Sequence, residues 1–413
     1  MDISSEVIVN ESPFRRLNKV DLAAALQDSR HRTLALLAAY EAALGPTLHV
    51  PCTQELNLPL WELGHIGWFA DWWLARNPER ARGTAANPQV PRLAARQAQR
   101  GLDADALYDS SNVPHASRWQ LVLPSLPQTR ADLAAGLQDS LALLHSAQDT
   151  DEGLYFFRLV LFHEDMHSEA ALYMAQTLGI DPQRVFTPSI TTDTQCTNPP
   201  LRVDACTWTL GYRGEGFAFD NELPAHPVEV PPFVIDAAPI TWGAFLPFLD
   251  SGASTQAELW SAEGWAWQQR NLSQVPRYLR RSAQGWEQQV FGEWRALNPH
   301  APACHLTAFE AQAWCAWAGR RLPTEAEWEV AAHQPGFVWG EVWEWTASAF
   351  APFEGFTAHP YQDYSQPWFG SRPVLKGASW ATAARMRHRK YRNYFPPERN
   401  DVFAGFRSVA AHR

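Results

Sequence analysis

Apolar residues recur at helical spacing along the N-terminal half of the chain. Residues 18–45 carry a broad apolar face, with Asp21 as a candidate N-cap and Gly45-Pro46 as the end signal. Three further segments place apolar residues three and four positions apart, which predicts helices over residues 58–75, 129–147 and 152–178. Four amphipathic helices in this half predict a helical bundle.

The segment between the second and third predicted helices has no clear periodicity. Residues 77–128 contain many Pro, Arg and Asn residues, which predicts a long loop region with one short helix. A loop of this length inside a compact domain is often functional, so His115 and Arg118 are candidates to face a pocket, although most single polar loop residues are solvated.

The pattern changes near residue 181. Residues 181–200 read as a linker, and the chain beyond them is dominated by Trp, Gly and Pro. A strand-like run at Pro227–Ile235 and one clear helix at residues 307–319 stand out, while other helix signals are sparse. The sequence therefore predicts a second domain of α+β or irregular type.

The composition narrows the classes of partner. The chain has 413 residues, of which 46% are hydrophobic and 19% charged, so it can form packed cores. Its net charge of −10 argues against a nucleic-acid partner and favours small molecules. The 20 tryptophans, roughly three to four times the usual number, fit either large aromatic cores or a pocket for a cationic ligand.

The cysteines and the N-terminal sequence indicate the cellular compartment in which the protein is expected. The five cysteines include no CxxC pair, so neither a disulfide framework nor a thiolate zinc site is indicated, and reduced thiols are expected: Cys52, Cys196, Cys206, Cys304 and Cys315. We expect Cys304 and Cys315 to be buried core residues. The N-terminus has no signal-peptide core, and no apolar run approaches membrane-spanning length. These features predict a cytoplasmic protein without a membrane span.

Three histidines have the spacing of metal ligands. His163 and His167 lie one helical turn apart on the fourth helix, so both imidazoles can reach one ion, and His65 of the second helix can supply a third. An HxxxH pair alone is a weak signal, and His65 alone is more often a packed histidine. Three neutral imidazoles suit iron(II), zinc or copper. Glu169, off the shared edge, is either solvated or orients a ligand.

Two other interpretations of this cluster remain open. Residues 163–167 read H-E-D-M-H, which matches the H-E-x-x-H zinc-hydrolase pattern with Glu164 as its general base, although no third ligand stands at the metzincin distance. A non-catalytic binding module with a structural metal is the other alternative. Three histidines without a fourth protein ligand favour an open, reactive site.

The run LWELGHIGWF, followed by HEDMHSEA, resembles the DinB-like iron-binding half of ergothioneine-biosynthesis sulfoxide synthases. We assign this half to residues 15–185. Residues 200–413 resemble the formylglycine-generating-enzyme fold, which is C-type-lectin-like. The marks of that fold are FDNE at 219–222 with Pro224 and His226, RRLPTEAEWE at 320–329, VWEWT at 342–346 and VFAGFR at 402–407.

The resemblance implies a cofactor and substrates. Iron(II) would be bound by His65, His163 and His167, and O2 would drive bond formation at the imidazole C2 of hercynine (trimethylhistidine). The trimethylammonium group suits an aromatic or acidic surround. A tyrosine that assists proton and electron transfer in some members would correspond to Tyr361 or Tyr364, and ordinary packing is the alternative for either.

The family motif Asn-Trp-Asp, followed by Arg, aligns with Asn393-Tyr394-Phe395 and Arg399, which makes these residues candidate substrate contacts together with Arg118. The family aspartate helps to bind an amino-acid-like thiol, and Phe395 stands at its position. Loss of that carboxylate predicts a second substrate that is not an amino acid.

Among related enzymes, selenoneine synthases join hercynine to a selenosugar. Residues 108–119 and 393–401 look more like those enzymes, and a sulfoxide synthase acting on cysteine or γ-glutamylcysteine is the alternative. The cysteine pair that formylglycine-generating enzymes use is absent from residues 376–407. Oxidation of a sulfatase cysteine is therefore not expected, and the fold would serve as a substrate-binding wall.

Overall fold

The N-terminal half of the chain is helical. The structure, a computed structural model, describes residues 13–182, 198–271 and 275–411. The helices of this half are α1 (Lys19–Leu44), α2 (Pro59–Ala70), α3 (Ala104–Tyr108), α4 (Leu126–Ser146) and α5 (Asp151–Leu178). Helices α1, α2, α4 and α5 pack against one another, and α2 continues into a π-helical turn at Asp71–Ala75. The four predicted helices are thus confirmed to within a few residues.

One predicted N-cap and one predicted helix start need correction. Asn18, not Asp21, caps α1, because its side-chain oxygen accepts from the backbone N–H groups of Val20 and Asp21. Helix α4 begins at Leu126 instead of residue 129, because Pro127 occupies the first turn, where its missing N–H costs nothing.

Residues 77–128 form the long connection that the sequence predicts. Short 3₁₀ turns at Arg80–Ala85, Arg96–Arg100 and His115–Gln120 flank α3, which is the only α-helix described in this connection before α4 begins at Leu126. Arg76 ties the connection to α3 through a bidentate ion pair with Asp105, at 2.6 and 2.8 Å.

The C-terminal half is a mixture of helices and small sheets. Its helices are α6 (Trp242–Asp250), α7 (Ala262–Arg270), α8 (Ala308–Trp317) and α9 (Glu325–Ala332). Its strands are β1 (Leu201–Val203), β2 (Cys206–Leu210), β3 (His226–Val230), β4 (Phe233–Ile235), β5 (Leu279–Ser282), β6 (Gly285–Val290), β7 (Glu293–Ala296), β8 (Arg320–Arg321), β9 (Trp343–Ala349), β10 (Pro373–Gly377), β11 (Asn393–Tyr394), β12 (Ala404–Gly405) and β13 (Val409–Ala410). The sheet orders are β1-β4-β13-β8, β11-β10-β9-β12, β2-β3 and β5-β6-β7. All neighbouring strands are antiparallel except β12 and β9.

Several predictions for this half need correction. The single strand expected at Pro227–Ile235 is two strands, β3 and β4, because Pro231 and Pro232 cannot donate ladder hydrogen bonds. The prediction of only one clear helix was wrong, since α6, α7 and α9 flank α8 in sequence. The helix expected at 307–319 is confirmed as α8, with Thr307 as its N-cap. Most of the proposed linker lies outside the described residues.

The motifs of the C-terminal half build its core. Glu344 of β9 is fully buried, accepts a hydrogen bond from Trp328 at 2.8 Å, and pairs with Arg407 at 2.7 Å. Lys376 of β10 pairs with Glu329 of α9 at 2.9 Å, and both side chains are buried. These residues are charged, yet each finds its partner inside the core, which is the condition for burying a charge.

Buried polar contacts join the two halves. Arg15 pairs with Glu222 at 2.6 Å, and Arg385 pairs with Asp165 of α5 at 2.6 Å. Glu169, also on α5, is half-buried and accepts hydrogen bonds from Trp343 at 2.7 Å and Ser379 at 2.6 Å. Glu169 is therefore neither solvated nor bonded to a histidine of the cluster, and it fastens α5 to the C-terminal half.

The cysteines fit the expected reduced state where they are described. Cys304 and Cys315 are buried, as predicted, and Cys52 and Cys206 are also free thiols. Cys196 lies outside the described residues. In the part of the chain that the structure describes, none of the helices has the length and apolar character needed to cross a bilayer.

Candidate metal centre

The three predicted ligands converge. One nitrogen from each of His65, His163 and His167 lies within 4.8 Å of the other two. The Nε2 atoms of His163 and His167 are 3.2 Å apart, and the ring centroids of His65 lie 5.1 and 5.0 Å from those of His163 and His167. Helices α2 and α5 thus present imidazoles to one point.

Backbone and packing contacts orient His65. Its Nδ1 lies 2.8 Å from the carbonyl oxygen of Tyr108, so Nδ1–H donates and Nε2 keeps its lone pair. The ring stacks on Trp61 with centroids 4.9 Å apart. Gly64 allows this arrangement, because a Cβ there would lie 2.2 Å from the Tyr108 ring.

A carboxylate orients His167. Its Nδ1 donates to Oε2 of Glu62, whose other oxygen accepts from the side chain of Asn57. Glu62 and His167 are both largely buried, with 14% and 20% of their side chains exposed. Burial alone would raise the pKa of Glu62, but the hydrogen bond and the neighbouring imidazoles of His167 and His65 hold that pKa at about 2. Glu62 is therefore an anion at neutral pH.

Burial keeps two histidines of the cluster, His65 and His163, neutral. Burial, with the neighbouring His167 ring second, lowers the pKa of His65 to about 3. Burial also lowers the pKa of His163 well below its ordinary value. Neutral imidazoles have the lone pairs that a metal ion needs.

The ring of His163 is packed between aromatic residues. It stacks on Phe69 with centroids 3.5 Å apart and planes 3° from parallel. Tyr361 meets the edge of Phe69 at 4.9 Å, and its ring centroid lies 6.4 Å from that of His163. Of the two candidate tyrosines, Tyr361 is the one whose ring borders the cluster.

Tyr364 lies one step further away. Its ring centroid is 6.0 Å from that of Tyr361, and its hydroxyl is 2.8 Å from the hydroxyl of Tyr391. Tyr394 is tied to the same loop, since its hydroxyl donates to the carbonyl oxygen of Tyr364 and its ring stacks on Phe350 at 4.0 Å. This gives Tyr394 a role in holding the loop that carries both candidates.

Phe395 and Arg399 lie beside the C-terminal part of α5. The guanidinium of Arg399 is 5.4 Å from the Phe395 ring and 5.3 Å from the ring of Tyr173. Asp401 neutralises Arg399 through two hydrogen bonds, one of them 2.8 Å long. Phe395 itself is partly buried in the same apolar cluster as Tyr361 and Tyr364.

The other two predicted substrate contacts differ in position. The guanidinium of Arg118 lies 3.7 Å over the ring of Trp61, the same ring on which His65 stacks. Burial lowers the pKa of Arg118. Asn393 lies on edge strand β11, where it pairs with Leu375 and its side-chain oxygen accepts from the N–H of Tyr394 at 2.9 Å. His115 bonds the carbonyl oxygen of Leu56 at 2.7 Å.

The H-E-x-x-H glutamate points away from the cluster. Glu164 makes a buried bidentate pair with Arg30 of α1 at 2.7 and 3.1 Å and accepts from Thr33 at 2.8 Å. A general base must reach a water on the metal. Glu164 is on the α1 side of α5 instead, so the zinc-hydrolase interpretation loses its base.

Sequence reasoning missed the groups that orient the ligands. Tyr108 acts through its backbone carbonyl, which no side-chain pattern reveals. Glu62 had a signal: it precedes His65 by three residues, so both lie on one face of α2.

The donor set fits one divalent metal ion. Acceptors occupy Nδ1 of His65 and His167, which leaves Nε2 of each ring for the ion. The clustered ligand group found among the described residues contains these three histidines and no fourth member. Such a site would keep positions open for substrates.

Comparisons with known proteins identify the fold of the C-terminal half and the family of the chain. The family model for the sulfatase-modifying factor enzyme 1-like domain matches residues 197–339 and 336–412, which confirms the predicted formylglycine-generating-enzyme fold of this half. A formylglycine-generating enzyme of Streptomyces coelicolor is 27% identical over 40% of this chain and 73% of its own length.

Full-length relatives are more similar. Hercynine oxygenase of Mycolicibacterium thermoresistibile is 32% identical, with 94% of each chain covered. Hercynine oxygenase of Mycobacterium tuberculosis is 31% identical over 94% of this chain and 97% of its own length. The chain therefore belongs to the hercynine oxygenase family.

Proposed function

We propose that this protein is a mononuclear non-haem iron(II), O2-dependent synthase that joins C2 of the hercynine imidazole to the selenium of a selenosugar. The C2–H and Se–H hydrogens leave as the C–Se bond forms, and O2 takes up the two electrons and two protons. The proposal includes a DinB-like assignment of the helical half. The observation that carries it is the convergence of three histidines in a member of the hercynine oxygenase family.

His65, His163 and His167 would hold the iron. Bound ferrous iron would supply redox chemistry with O2 and a soft coordination position for sulfur or selenium. The chain contributes ligand orientation through Tyr108 and Glu62, and aromatic walls through Phe69 and Trp61 that limit water at the site.

We assign proton delivery to Tyr361. Its ring borders His163, whereas the hydroxyl of Tyr364 is engaged with Tyr391. Burial raises the pKa of Tyr361, so its hydroxyl carries a proton at neutral pH.

The identity of the second substrate depends on Phe395. A carboxylate at this position would pair with the ammonium group of an amino-acid thiol, and a phenyl ring cannot. The nearby Arg399 is already neutralised by Asp401, which leaves little net charge for a zwitterionic partner. A neutral sugar is compatible with such a wall, and Arg118 and Asn393 remain candidate substrate contacts.

The alternative is a sulfoxide synthase that joins hercynine to cysteine or γ-glutamylcysteine. It shares the histidine cluster and Tyr361 and differs only in the second-substrate pocket. The name of the full-length relatives favours it as much as it favours the selenium reaction.

Comparing turnover with different second substrates tests the choice between the selenium and the sulfur reaction. Iron-loaded protein is given hercynine and O2 with a selenosugar, cysteine or γ-glutamylcysteine, and O2 consumption and products are measured. We expect turnover with the selenosugar to exceed that with either thiol. Equal or faster turnover with a thiol would favour the alternative, and absence of O2 consumption with every donor would reject both.

A pair of variants tests the role of Phe395. Phe395→Asp restores the carboxylate and should raise kcat/KM for γ-glutamylcysteine relative to the selenosugar about tenfold, which corresponds to roughly 1.4 kcal/mol. Phe395→Leu keeps the wall apolar and should leave the ratio unchanged. If both variants shift the ratio equally, the loss of the ring and not the gain of charge sets the preference.

A further inference from the structure

We propose that Glu62 is a positioning residue that fixes the proton of His167 on Nδ1 and strengthens Nε2 of His167 as a metal donor. This inference rests on the proposed function, because it takes the three histidines to be metal ligands. Glu62 reaches the metal only through His167.

The hydrogen-bond pattern determines the tautomer. An ionised carboxylate can only accept, so the contact between Glu62 Oε2 and His167 Nδ1 requires the proton on Nδ1. When the ring binds a metal, Nε2, which faces His163 at 3.2 Å, is therefore the nitrogen that supplies the lone pair. A carboxylate acceptor also increases the basicity of the imidazole, as metal-bound histidines commonly show.

The two oriented ligands differ in the charge of their acceptors. His65 donates to a neutral backbone carbonyl, that of Tyr108, whereas His167 donates to a carboxylate. Of the two, His167 should therefore give its Nε2 lone pair to a metal ion more strongly. The histidine cluster is unsymmetrical although its ligands are chemically identical.

Helix α2 has two functions in this arrangement. Residues three apart share a helix face, so Glu62 and His65 both point toward α5. The same face of α2 thus supplies one ligand directly and orients a second ligand that belongs to α5.

Asn57 fixes the carboxylate in turn. The Leu58 N–H donates to Asn57 Oδ1 at 3.0 Å, so the side-chain NH2 of Asn57 must point toward Glu62, where it donates to Oε1. A glutamine at position 62 has one acceptor and one donor group. Its oxygen can accept from either Asn57 or His167. Its NH2 group then faces the N–H of the other residue, and two donors oppose each other.

This conflict suggests a rescue. In Glu62→Gln combined with Asn57→Asp, the new carboxylate at position 57 accepts from the glutamine NH2. The glutamine oxygen is then free to accept from His167. The double variant restores the orientation of His167 and moves the charge one residue further away.

The experiment uses the full chain with cobalt(II) as the probe, because cobalt gives visible d–d bands that report ligand geometry. Affinity and spectrum are measured for the native chain, for Glu62→Gln, for the double variant and for Glu62→Asp, which keeps the charge but withdraws it by one methylene. Glu41→Gln serves as the matched control, since Glu41 pairs with Arg130 and is 40% exposed. Circular dichroism verifies the fold of each variant.

We expect Glu62→Gln and Glu62→Asp to weaken cobalt binding by roughly 10- to 100-fold with altered d–d bands. The double variant should recover most of the affinity, and Glu41→Gln should match the native chain. Native affinity and spectrum in either single variant, or no recovery in the double variant, would overturn the proposal. A native chain that binds no cobalt would instead remove the metal site itself, and the proposed function with it.

Discussion

Replacing Gly64 by alanine should damage the metal site although residue 64 is not a ligand. A Cβ at this position would lie 2.2 Å from Cε1, 2.3 Å from Cζ and 2.6 Å from the hydroxyl of Tyr108. Ordinary carbon contacts are about 3.5–4.0 Å, so the ring must move by more than an ångström. Tyr108 is 2% exposed, and its carbonyl orients His65.

The magnitude follows from two opposed effects. Alanine favours a helix interior over glycine by about 1 kcal/mol. Overpacking a buried site costs about 1–3 kcal/mol, and this short contact belongs at the upper end. The net result is a loss of roughly 1–2 kcal/mol in the metal-free protein.

Gly67→Ala is a matched control on the same helix. Its Cβ would lie 3.2 Å from a terminal methyl of Leu133, which can shift by a few tenths of an ångström. This variant should gain up to about 1 kcal/mol from helix propensity. The two substitutions should therefore differ by roughly 2–3 kcal/mol, or several degrees in Tm.

The assay combines calorimetric unfolding of the metal-free variants with anaerobic ferrous titration. We expect Gly64→Ala to have the lower Tm and to bind iron at least tenfold more weakly than Gly67→Ala. Equal Tm values and equal iron affinities would refute the argument that Tyr108 needs the space of a glycine to orient His65.

Three further predictions follow from the same geometry. Glu164→Gln should lose about 3 kcal/mol of stability in thermal unfolding, because the charge of Arg30 is left buried without the carboxylate that balances it. The variant should keep native iron affinity, and loss of iron binding would return Glu164 to the site. Burial raises the pKa of Glu310 to about 7 from 4.5, so the stability it contributes is complete below pH 4.5 and lost as the pH rises through 7. Glu310→Gln should then exceed the native chain by about 3 kcal/mol at pH 8, with the gain shrinking toward zero below pH 4.5; a pH-independent difference in unfolding experiments would contradict the assignment. Tyr361→Phe should reduce turnover at least about 100-fold while Tyr364→Phe changes it little, and the reverse order in O2-consumption assays would exchange their roles.

The helical half was largely predictable because its signals are local. Periodic leucines define the long helices, and the spacing of His163 and His167 places both on one face of α5. Pro127 also signals the start of α4, but the prediction followed the leucine periodicity and placed the start three residues too late.

The C-terminal half was harder because its helices are only eight to ten residues long, which gives a periodic pattern little length in which to show. Helix α6 contains Pro247, a residue that argues against a helix interior, and most of α9 is buried on all sides, so α9 shows no amphipathic period. Buried pairs such as Arg407 with Glu344 join residues far apart in sequence, which local periodicity cannot detect. Resemblance of whole motifs to a known family therefore predicted this fold where periodicity did not.

The clustering of the three histidines was predictable from the sequence, but the groups that orient them were not. His65 could be paired with the α5 histidines by residue type, whereas the carbonyl of Tyr108 has no sequence signal. A single glutamate such as Glu62 on an amphipathic helix usually faces solvent. The choice between Tyr361 and Tyr364 depends on a 3₁₀ turn, Gln362–Tyr364, whose orientation no periodic pattern defines.

Anomalous diffraction at the iron absorption edge, from crystals grown anaerobically with ferrous ion, tests the central claim most directly. We expect a single strong peak about 2.1 Å from a ring nitrogen of each of His65, His163 and His167, with Glu62 bonded to the far side of His167. A peak at any other position, or the ring of His65 turned away from the other two, would contradict the account.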